Sequence, residues 1–468
     1  MVKFTKGKMY FLWLTVASCI YLTCCPLLFQ KQIYTIIINH IPYAVLFVVD
    51  CIIIRNKRND LTSIIKEYVG KNRLLFLTII IFVLYDMVTI IYAQTPSYSF
   101  MKYLVFVKMV FLVLSIFLCI YEKETSFWKK NLEFLIRSIG WIVSLILITT
   151  IIEWSLGLTP YVKRISTIED YNIYASYLLF TLLFFAYYHL EKKDNEAGKK
   201  KIIYASVGII AFSFLFLSGS RRAVMLAPIM LAIYVFAYII KERVTIHEST
   251  LVTLDNRRRK KHIYFLALIC ILVTCTQASV PIFERVISVD CVSEREGINR
   301  GGSLASRYDT INLDKGFASR DLIWNVAISE IKDYNTVELL FGKGNGYGWN
   351  VYEDIDNKGV EELSLAYDLE ELKSKWMSPH NLVLKEFLEG GLIKISVLLF
   401  LAIVIIVTIF KIIKEYFLYG MLLLSVYICQ AGNFVLGGTY GLLGEDLFWL
   451  VTAVLIVVNT LRLRTIEE

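Results

Sequence analysis

The chain has 468 residues, of which 57% are hydrophobic, and its mean hydropathy is +0.59. A soluble protein needs more polar residues to cover its surface, so this composition excludes an ordinary soluble enzyme and favours an integral membrane protein. The formal net charge of +8 would suit nucleic acid binding, but the basic residues lie between apolar windows, where anionic lipid is the expected partner.

Apolar windows recur from Tyr10 to Leu461, and each is long enough to cross ~30 Å of hydrocarbon as a helix. They predict an all-α integral membrane protein of about twelve transmembrane helices. Lysines precede the first window, but no signal-peptide cleavage pattern follows it, so it is predicted to be a retained helix. The predicted spans are 9–29, 33–54, 74–93, 101–121, 138–157, 172–190, 202–217, 223–240, 263–280, 392–410, 417–436 and 446–461.

The nine cysteines show no spacing typical of a disulfide framework or a metal site. All but Cys291 lie in apolar windows or at their ends, where cysteine behaves as a small hydrophobic residue. We therefore predict no metal and no cofactor.

The distribution of lysine and arginine predicts the orientation of the chain. If the N-terminus is cytoplasmic, the inside segments contain 29 of these residues and the short outside loops contain 5. Because cytoplasmic loops are enriched in positive charge, both termini are predicted to be cytoplasmic.

One outside segment is far longer than the others and defines the domain organisation. Residues 281–391 carry more acidic than basic residues and are predicted to form an external loop domain between helices 9 and 10. Helices 1–9 occupy residues 1–280, and helices 10–12 occupy residues 392–468. A loop of this length usually has a function.

Several basic residues lie on the predicted outer side, against the general bias. Arg221 and Arg222 occupy a tight turn between two spans, Arg164 lies in a short loop, and Arg320 opens a predicted helix in the long segment. Guanidinium groups bind phosphate oxygens bidentately, so these residues predict a diphosphate partner. The alternative is that the two arginines of the turn extend to the membrane surface for structural reasons.

Lys108 is one of few charged residues inside an apolar window. It could reach an anionic headgroup or pair with Asp86, and the sequence favours neither.

His380 is the only histidine in the long outside segment. A neutral imidazole can take a proton from a hydroxyl, which makes His380 a candidate general base, although a lone histidine at a helix start more often has a structural role. The next residue, Asn381, is predicted to be the N-cap of the following helix.

At these residues the sequence resembles the O-antigen ligase/polymerase superfamily of bacterial envelope enzymes. His380-Asn381 followed by Leu384, Glu389 and Gly391 is similar to that family's His-Asn signature before a membrane helix, and residues 341–346 resemble its Gly-x-Gly-x-Gly turn. Lys394 stands where a second glycine is common in the family.

Three further elements, in the family's order, extend the resemblance over most of residues 160–395. Arg320 with Trp324 resembles its Gly-Arg helix, with Ser319 in place of the glycine. Ser220-Arg221-x-Ala223 resembles its Ser-Arg-Gly-Ala turn, with Arg222 in place of the glycine. Arg164 with Asn172-x-x-Ala175 resembles its Arg–Asn-x-x-Ala element.

The resemblance implies a metal-independent, inverting glycosyl transfer at the outer face of the bacterial cytoplasmic (inner) membrane. The donor would be an undecaprenyl-diphosphate-linked glycan and the acceptor a sugar hydroxyl. His380, Arg221 and Arg320 would be catalytic, and Arg164, Arg222 and Asn381 would bind substrate. Lys108, which lies outside the resemblance, is added to the substrate-binding residues because of its charge within an apolar window. Nucleic acid is not expected as a partner, whereas other polysaccharide-assembly proteins are possible partners.

Three functions remain open at this point. A polymerase of O-antigen or capsule repeat units is favoured over a ligase that joins glycan to a lipid or protein acceptor, although both use the same residues. A flippase or transporter of lipid-linked oligosaccharide is the third, but the inverted repeats and charged mid-membrane paths typical of transporters are not evident.

Overall fold

A computed structural model describes residues 44–45, 47–48, 50–52, 55, 58–93, 96–155, 165–166, 172, 174–179, 181–183, 198–220, 222–233, 320–353, 357–366, 378–436 and 441–468. Within these ranges every regular element is helical and no strand occurs, so the expected all-helical class is confirmed. The predicted spans 9–29 and 263–280, and residues 281–319 of the predicted external segment, lie outside the described residues.

Except for the first, the helices of the described first half follow the apolar windows; the first lies between the predicted spans 33–54 and 74–93, in a segment predicted to be an inside loop. They are α1 (Arg58–Lys71), α2 (Arg73–Val88), α3 (Pro96–Ile120), α4 (Thr125–Ser155) and α5 (Gly198–Leu217), and residues 174–179 and 222–233 are also helical. In the helices that follow these windows, long runs of Leu, Ile, Phe and Val allow the helix to continue, and Pro96 of α3 occupies the first helical position, where proline is tolerated.

The second half begins with the part of the chain predicted to be external. Its helices are short: α6 (Arg320–Lys332), α7 (Thr336–Phe341), α8 (Tyr347–Asn350) and α9 (Lys358–Ala366). Three longer helices follow, α10 (Leu382–Glu415), α11 (Phe417–Leu436) and α12 (Asp446–Glu467), with one 3-10 turn at Leu442–Gly444 before α12.

Among the described residues, two helices are long and apolar enough to cross a membrane, Leu382–Glu415 and Leu447–Glu467. They differ in their surroundings, because most of the apolar window of α12 is buried within the protein and most of that of α10 is not. The exposed side of α10 is a stripe of large apolar side chains, which recur at helical spacing: Leu392, Leu399, Phe400, Ile403, Ile406, Val407 and Phe410.

The described residues divide into two compact units. The first unit contains the described parts of Met1–Ala44, Glu133–Ile311 and Phe417–Cys429. The second unit contains those of Val45–Leu132, Asn312–Tyr416 and Gln430–Glu468.

In the second unit, α12 packs against α1 and α3. Arg464 near its end binds both carboxylate oxygens of Glu67, and its guanidinium lies 4.6 Å from the centre of the Trp128 ring. At the start of α2, the buried side chain of Asn72 bonds to Thr460 at 2.8 Å and to Asn459 at 2.8 Å. These polar contacts fix one end of the helix bundle of this unit.

The short helices α6, α8 and α9 share a hydrophobic core with the start of α10. Its buried members include Val326, Val351, Val360 and Leu388. The phenol of Tyr352 donates to the Ile323 carbonyl at 2.8 Å, and burial raises the pKa of this phenol well above its ordinary value. Residues 320–366 therefore fold onto the first turns of α10.

Two helices begin ten or more residues before the predicted spans. The fifth span was predicted from 138, whereas α4 begins at Thr125, and the tenth was predicted from 392, whereas α10 begins at Leu382. In both cases the additional turns contain charged residues. A prediction from hydropathy ends the span at such residues and places them in a loop. By contrast, α11 covers the predicted 417–436.

Candidate functional site

In the first unit, the structure brings together two elements that are far apart in the sequence. The hydroxyl of Ser220 donates to Asn172 Oδ1 at 3.1 Å, and Arg222 Nη2 donates to the backbone carbonyl of Asn172 at 3.4 Å. The tight turn at the start of the helical residues 222–233 is thereby joined to the Asn-x-x-Ala element.

A third element approaches the same turn. The backbone N–H of Ile165 donates to the carbonyl of Leu217 at 3.1 Å, and Leu217 is the last residue of α5. Arg164 precedes Ile165 directly and Arg221 lies within the turn, but both arginines lie outside the described residues.

The partner of Asp86 is not the one considered from the sequence. Lys102 Nζ lies 2.9 Å from Asp86 Oδ1 and Lys394 Nζ lies 2.5 Å from the same oxygen. Lys108 is half-buried on α3, two turns further along the helix than Lys102. The ion pairs of Asp86 thus come from Lys102 and Lys394.

His380 has an unusual backbone conformation in the second unit. Its φ is 47°, which makes it the one non-glycine residue with positive φ among the described residues. The side chain is half-buried, and the two preceding residues, Ser378 and Pro379, are buried. A left-handed backbone conformation at a non-glycine residue is unfavourable by about 1–2 kcal/mol of conformational free energy, and such residues concentrate at functional sites.

Asn381 is the N-cap of α10, as predicted. Its backbone is extended and its Oδ1 accepts the backbone N–H of Leu384 at 3.1 Å. Arg320, a further predicted site residue of this unit, is the half-buried first residue of α6.

The glycine-rich turn at 342–346 packs against a kink in α10. Gly342, Gly344 and Gly346 all have positive φ. The kink lies at Gly391, whose φ of 63° interrupts the helix. A Cβ on Gly342 would lie 2.5 Å from the backbone of Glu389, so the close approach excludes a side chain there.

The kink leaves backbone carbonyls of α10 without partners inside the helix, and neighbouring groups bind them. The Leu388 carbonyl accepts the N–H of Lys343 at 2.9 Å, and the Glu389 carbonyl accepts that of Gly344 at 3.1 Å. The Gly390 carbonyl accepts the phenol of Tyr85 at 2.9 Å. The glycine turn and α2 therefore fix the geometry of the kink.

A cluster of six buried charged side chains lies beside this kink. We call it the ion cluster, and its members come from α2, α3 and α10: Asp86, Lys102, Lys385, Glu386, Glu389 and Lys394. Lys394 is fully buried and its ammonium lies 2.6 Å from Glu386 as well as 2.5 Å from Asp86. With three carboxylates and three ammonium groups, the cluster is balanced when all six are charged.

Neutral groups complete the ion cluster. Asp86 Oδ2 accepts the phenol of Tyr103 at 2.6 Å and the amide of Asn345 at 3.1 Å. Glu386 Oε1 accepts the backbone N–H of Leu442 at 2.8 Å. Since Asn345 belongs to the glycine turn, the ion cluster connects α2, α10, this turn and the 3-10 turn before α12.

Three carboxylates of the ion cluster have the spacing of a possible metal site. One oxygen each from Asp86, Glu386 and Glu389 lies within 4.8 Å of the others. The ammonium of Lys394 lies within ion-pair distance of all three, at 2.5, 2.6 and 3.7 Å. The chain thus supplies its own cation to these carboxylates.

A second polar group lies in the core of α6, α8 and α9. Glu330 accepts Lys343 Nζ at 2.5 Å and the phenol of Tyr347 at 2.7 Å, and Asn357 Nδ2 at 3.0 Å. Burial by itself raises the pKa of the Glu330 carboxyl, but these hydrogen bonds and the Lys343 charge outweigh burial and hold that pKa below its ordinary value.

Sequence reasoning did not identify the ion cluster. It considered Asp86, Glu389 and Lys394 separately, and it did not single out Lys102, Lys385 or Glu386 as site residues. A usable signal was present, because each of these residues interrupts or borders an apolar window, where an unpaired charge is costly.

Models of known protein families do not match this chain, and a search of characterised proteins finds no significant relative.

Proposed function

We propose that this protein is a polytopic membrane glycosyltransferase that transfers an undecaprenyl-diphosphate-linked glycan to an acceptor hydroxyl, as a polymerase of surface polysaccharide repeat units. The observation that carries the proposal is the left-handed conformation of His380, immediately before the N-cap of an apolar helix. A half-buried imidazole held by a strained backbone at a helix start is suited to general-base chemistry.

The setting of His380 supports a fixed geometry for this base. Asn381 caps α10, and the first turns of that helix are held by the ion cluster and by the core of α6, α8 and α9. Positioned groups of this kind contribute to catalysis because they need no reorganisation when the reaction occurs.

The reaction we propose is a single displacement. The acceptor oxygen attacks the anomeric carbon of the donor, and its proton passes to the imidazole of His380. The bond between that carbon and the diphosphate oxygen breaks, and its electron pair leaves on the lipid diphosphate. A single displacement inverts the configuration of the anomeric carbon and needs no covalent intermediate on the protein.

Charge on the leaving diphosphate requires cationic partners, and the proposal assigns Arg221, Arg320, Arg164 and Arg222 to this role. The contacts of Arg222 and Ser220 with Asn172, and of Ile165 with Leu217, support it, because they bring the arginine-bearing elements of the first unit together. Loss of one such stabilising group typically costs about 3 kcal/mol, or 10²-fold in rate.

The membrane location and the arrangement of about twelve helices are part of the same proposal. The exposed apolar stripe of α10 supports it, since a continuous surface of this kind is unfavourable in water and suits lipid chains. Both termini are assigned to the cytoplasm and residues 281–391 to the outer side of a bacterial cytoplasmic membrane.

The test is transfer in reconstituted membranes. Wild-type protein is reconstituted in liposomes and supplied with lipid-linked oligosaccharides extracted from cells that make this protein. The products are separated by length. A polymerase produces a ladder, whereas a ligase labels a separate lipid or protein acceptor. His380→Ala should reduce transfer by about 10²–10⁴-fold, because the base is lost, while donor binding is retained.

The matched control is His262→Ala, which removes a histidine assigned to the cytoplasmic side and should leave transfer unchanged. Wild-type rates in His380→Ala would disprove the general-base role. Movement of the oligosaccharide across the bilayer without any covalent change would instead establish a transporter.

A further inference from the structure

The short helix α7 carries an apolar face that the described residues of the second unit leave exposed. Val337, Leu340 and Phe341 are 66%, 40% and 42% exposed, and their spacing places them on one side of the helix. On another side, Glu338 closes a capping box with Asn335. The helix is therefore amphipathic, with its apolar side outward.

Two contacts connect this face to the exposed apolar surface of longer helices. The phenol of Tyr92, just after α2, donates to the Phe341 carbonyl at 2.7 Å, and the neighbouring Ile91 is 84% exposed. On the other side, the Leu340 backbone packs so closely on Gly391 that a Cβ there would lie 2.4 Å away. The next residue of α10, Leu392, begins the exposed stripe of that helix.

We infer that the face formed by Val337, Leu340, Phe341 and Ile91 lies in the interfacial layer of the bilayer and contacts membrane lipid. The stripe of α10 is assigned to lipid chains, and the face of α7 continues it at the end of the helix where the polar segment begins. Lipid then covers both surfaces, and an amphipathic helix at the end of the membrane-spanning stripe lies along the interface between lipid and water. The inference rests on the proposed membrane location, not on glycosyl transfer.

This placement also fits the neighbouring elements. The glycine turn follows α7 directly and binds the carbonyls of the α10 kink. An interfacial α7 would thus hold the glycine turn and the start of α10 at a fixed depth, close to the phosphate headgroups.

Photo-crosslinking tests the inference in the full-length protein. The photoreactive residue p-benzoylphenylalanine is placed at position 337, at 403 in the exposed stripe of α10, or at the exposed position 358 of α9. Each variant is reconstituted in liposomes of phosphatidylethanolamine and phosphatidylglycerol, irradiated and analysed by intact-protein mass spectrometry. Lipid adducts are expected at 337 and 403, at least five-fold above position 358.

The control positions separate two kinds of failure. Adducts at 403 but not at 337 would overturn the interfacial placement and leave the membrane location intact. Absence of lipid adducts at both positions would overturn the membrane location itself. A protein–protein adduct at 337 would show that a second copy of the chain covers this face instead.

Discussion

Lys394 stands where the resembled family commonly has a glycine, and here its long side chain is fully buried. Its ammonium lies 2.5 Å from Asp86 and 2.6 Å from Glu386. Burial of a single charge of this kind would be very unfavourable, but the balanced ion cluster compensates it. Lysine at this position is therefore tolerated because acidic residues of α2 and α10 surround it.

Charge balance in the ion cluster predicts the outcome of a double-mutant cycle. Lys394→Met leaves three carboxylates with two ammonium groups, and removing one member of a buried ion pair typically costs about 3–5 kcal/mol of folding free energy. Adding Asp86→Asn restores the balance and should recover most of that loss. Thermal unfolding in detergent measures each variant.

The exposed Lys411 on the same helix provides the control, since Lys411→Met should leave the unfolding midpoint unchanged. If the double variant is less stable than Lys394→Met alone, the ion cluster is not held by charge balance.

At Arg221 the prediction concerns the geometry of the guanidinium rather than its charge. Arg221→Lys retains the positive charge but loses the bidentate fork, so donor turnover in the reconstituted assay should fall by about 10²-fold while yield and stability are retained. The matched change Arg243→Lys, in a segment assigned to the cytoplasm, should have no effect. Full turnover in Arg221→Ala would favour the alternative in which Arg221 only extends to the membrane surface.

At the scale of elements, the kink of α10 and the glycine turn depend on each other. The kink exposes the carbonyls of Leu388 and Glu389, and the backbone of the glycine turn binds them. That turn can approach so closely only without side chains. The Gly-x-Gly-x-Gly pattern therefore has a structural explanation here, independent of any contact with substrate.

A single methyl group tests this close packing. In Gly344→Ala the Cβ would lie 2.8 Å from the Tyr92 carbonyl oxygen, at a φ of +94° that disfavours side chains. The free energy of unfolding should fall by at least about 1–2 kcal/mol for the backbone conformation alone. Chemical or thermal unfolding in detergent gives the value.

Gly70 is the matched position for this test, because a Cβ there meets nothing within 4 Å. Gly70→Ala lies in α1 and should be neutral or slightly stabilising. Equal stability of the two alanine variants would contradict the role assigned to the glycine turn.

For the whole molecule, the charge distribution predicts which side of the membrane each segment faces. Reporters active only outside the cytoplasm should be active when fused after Glu362 and inactive when fused after Arg258, because the inside segments contain 29 lysines and arginines against 5 in the short outside loops. Cytoplasmic reporters should give the opposite pattern. Reversal at both positions would invalidate the orientation and the external active site with it.

A helix could be predicted from the sequence where the composition of its own residues is sufficient to form it. The apolar run at 417–436 predicts a helix and the structure has α11 over Phe417–Leu436, since composition within that run is sufficient. Asn381 was likewise predicted as an N-cap from its own position before the helix, and it is one. The apolar span of this helix was predicted only from residue 392, because Lys385, Glu386 and Glu389 give the first turns after Asn381 the composition of a loop.

Hydropathy and residue chemistry are local properties, so the helical class, the apolar windows and the candidate residues His380, Arg221 and Arg320 could be read from the chain directly. Which charges pair depends on the folded structure. Asp86 is paired with Lys394 across more than three hundred residues, and Glu386 is bound by the backbone of Leu442. Such pairing has no signature in either segment alone, since each charge is acceptable only when folding brings its partner within a few ångströms.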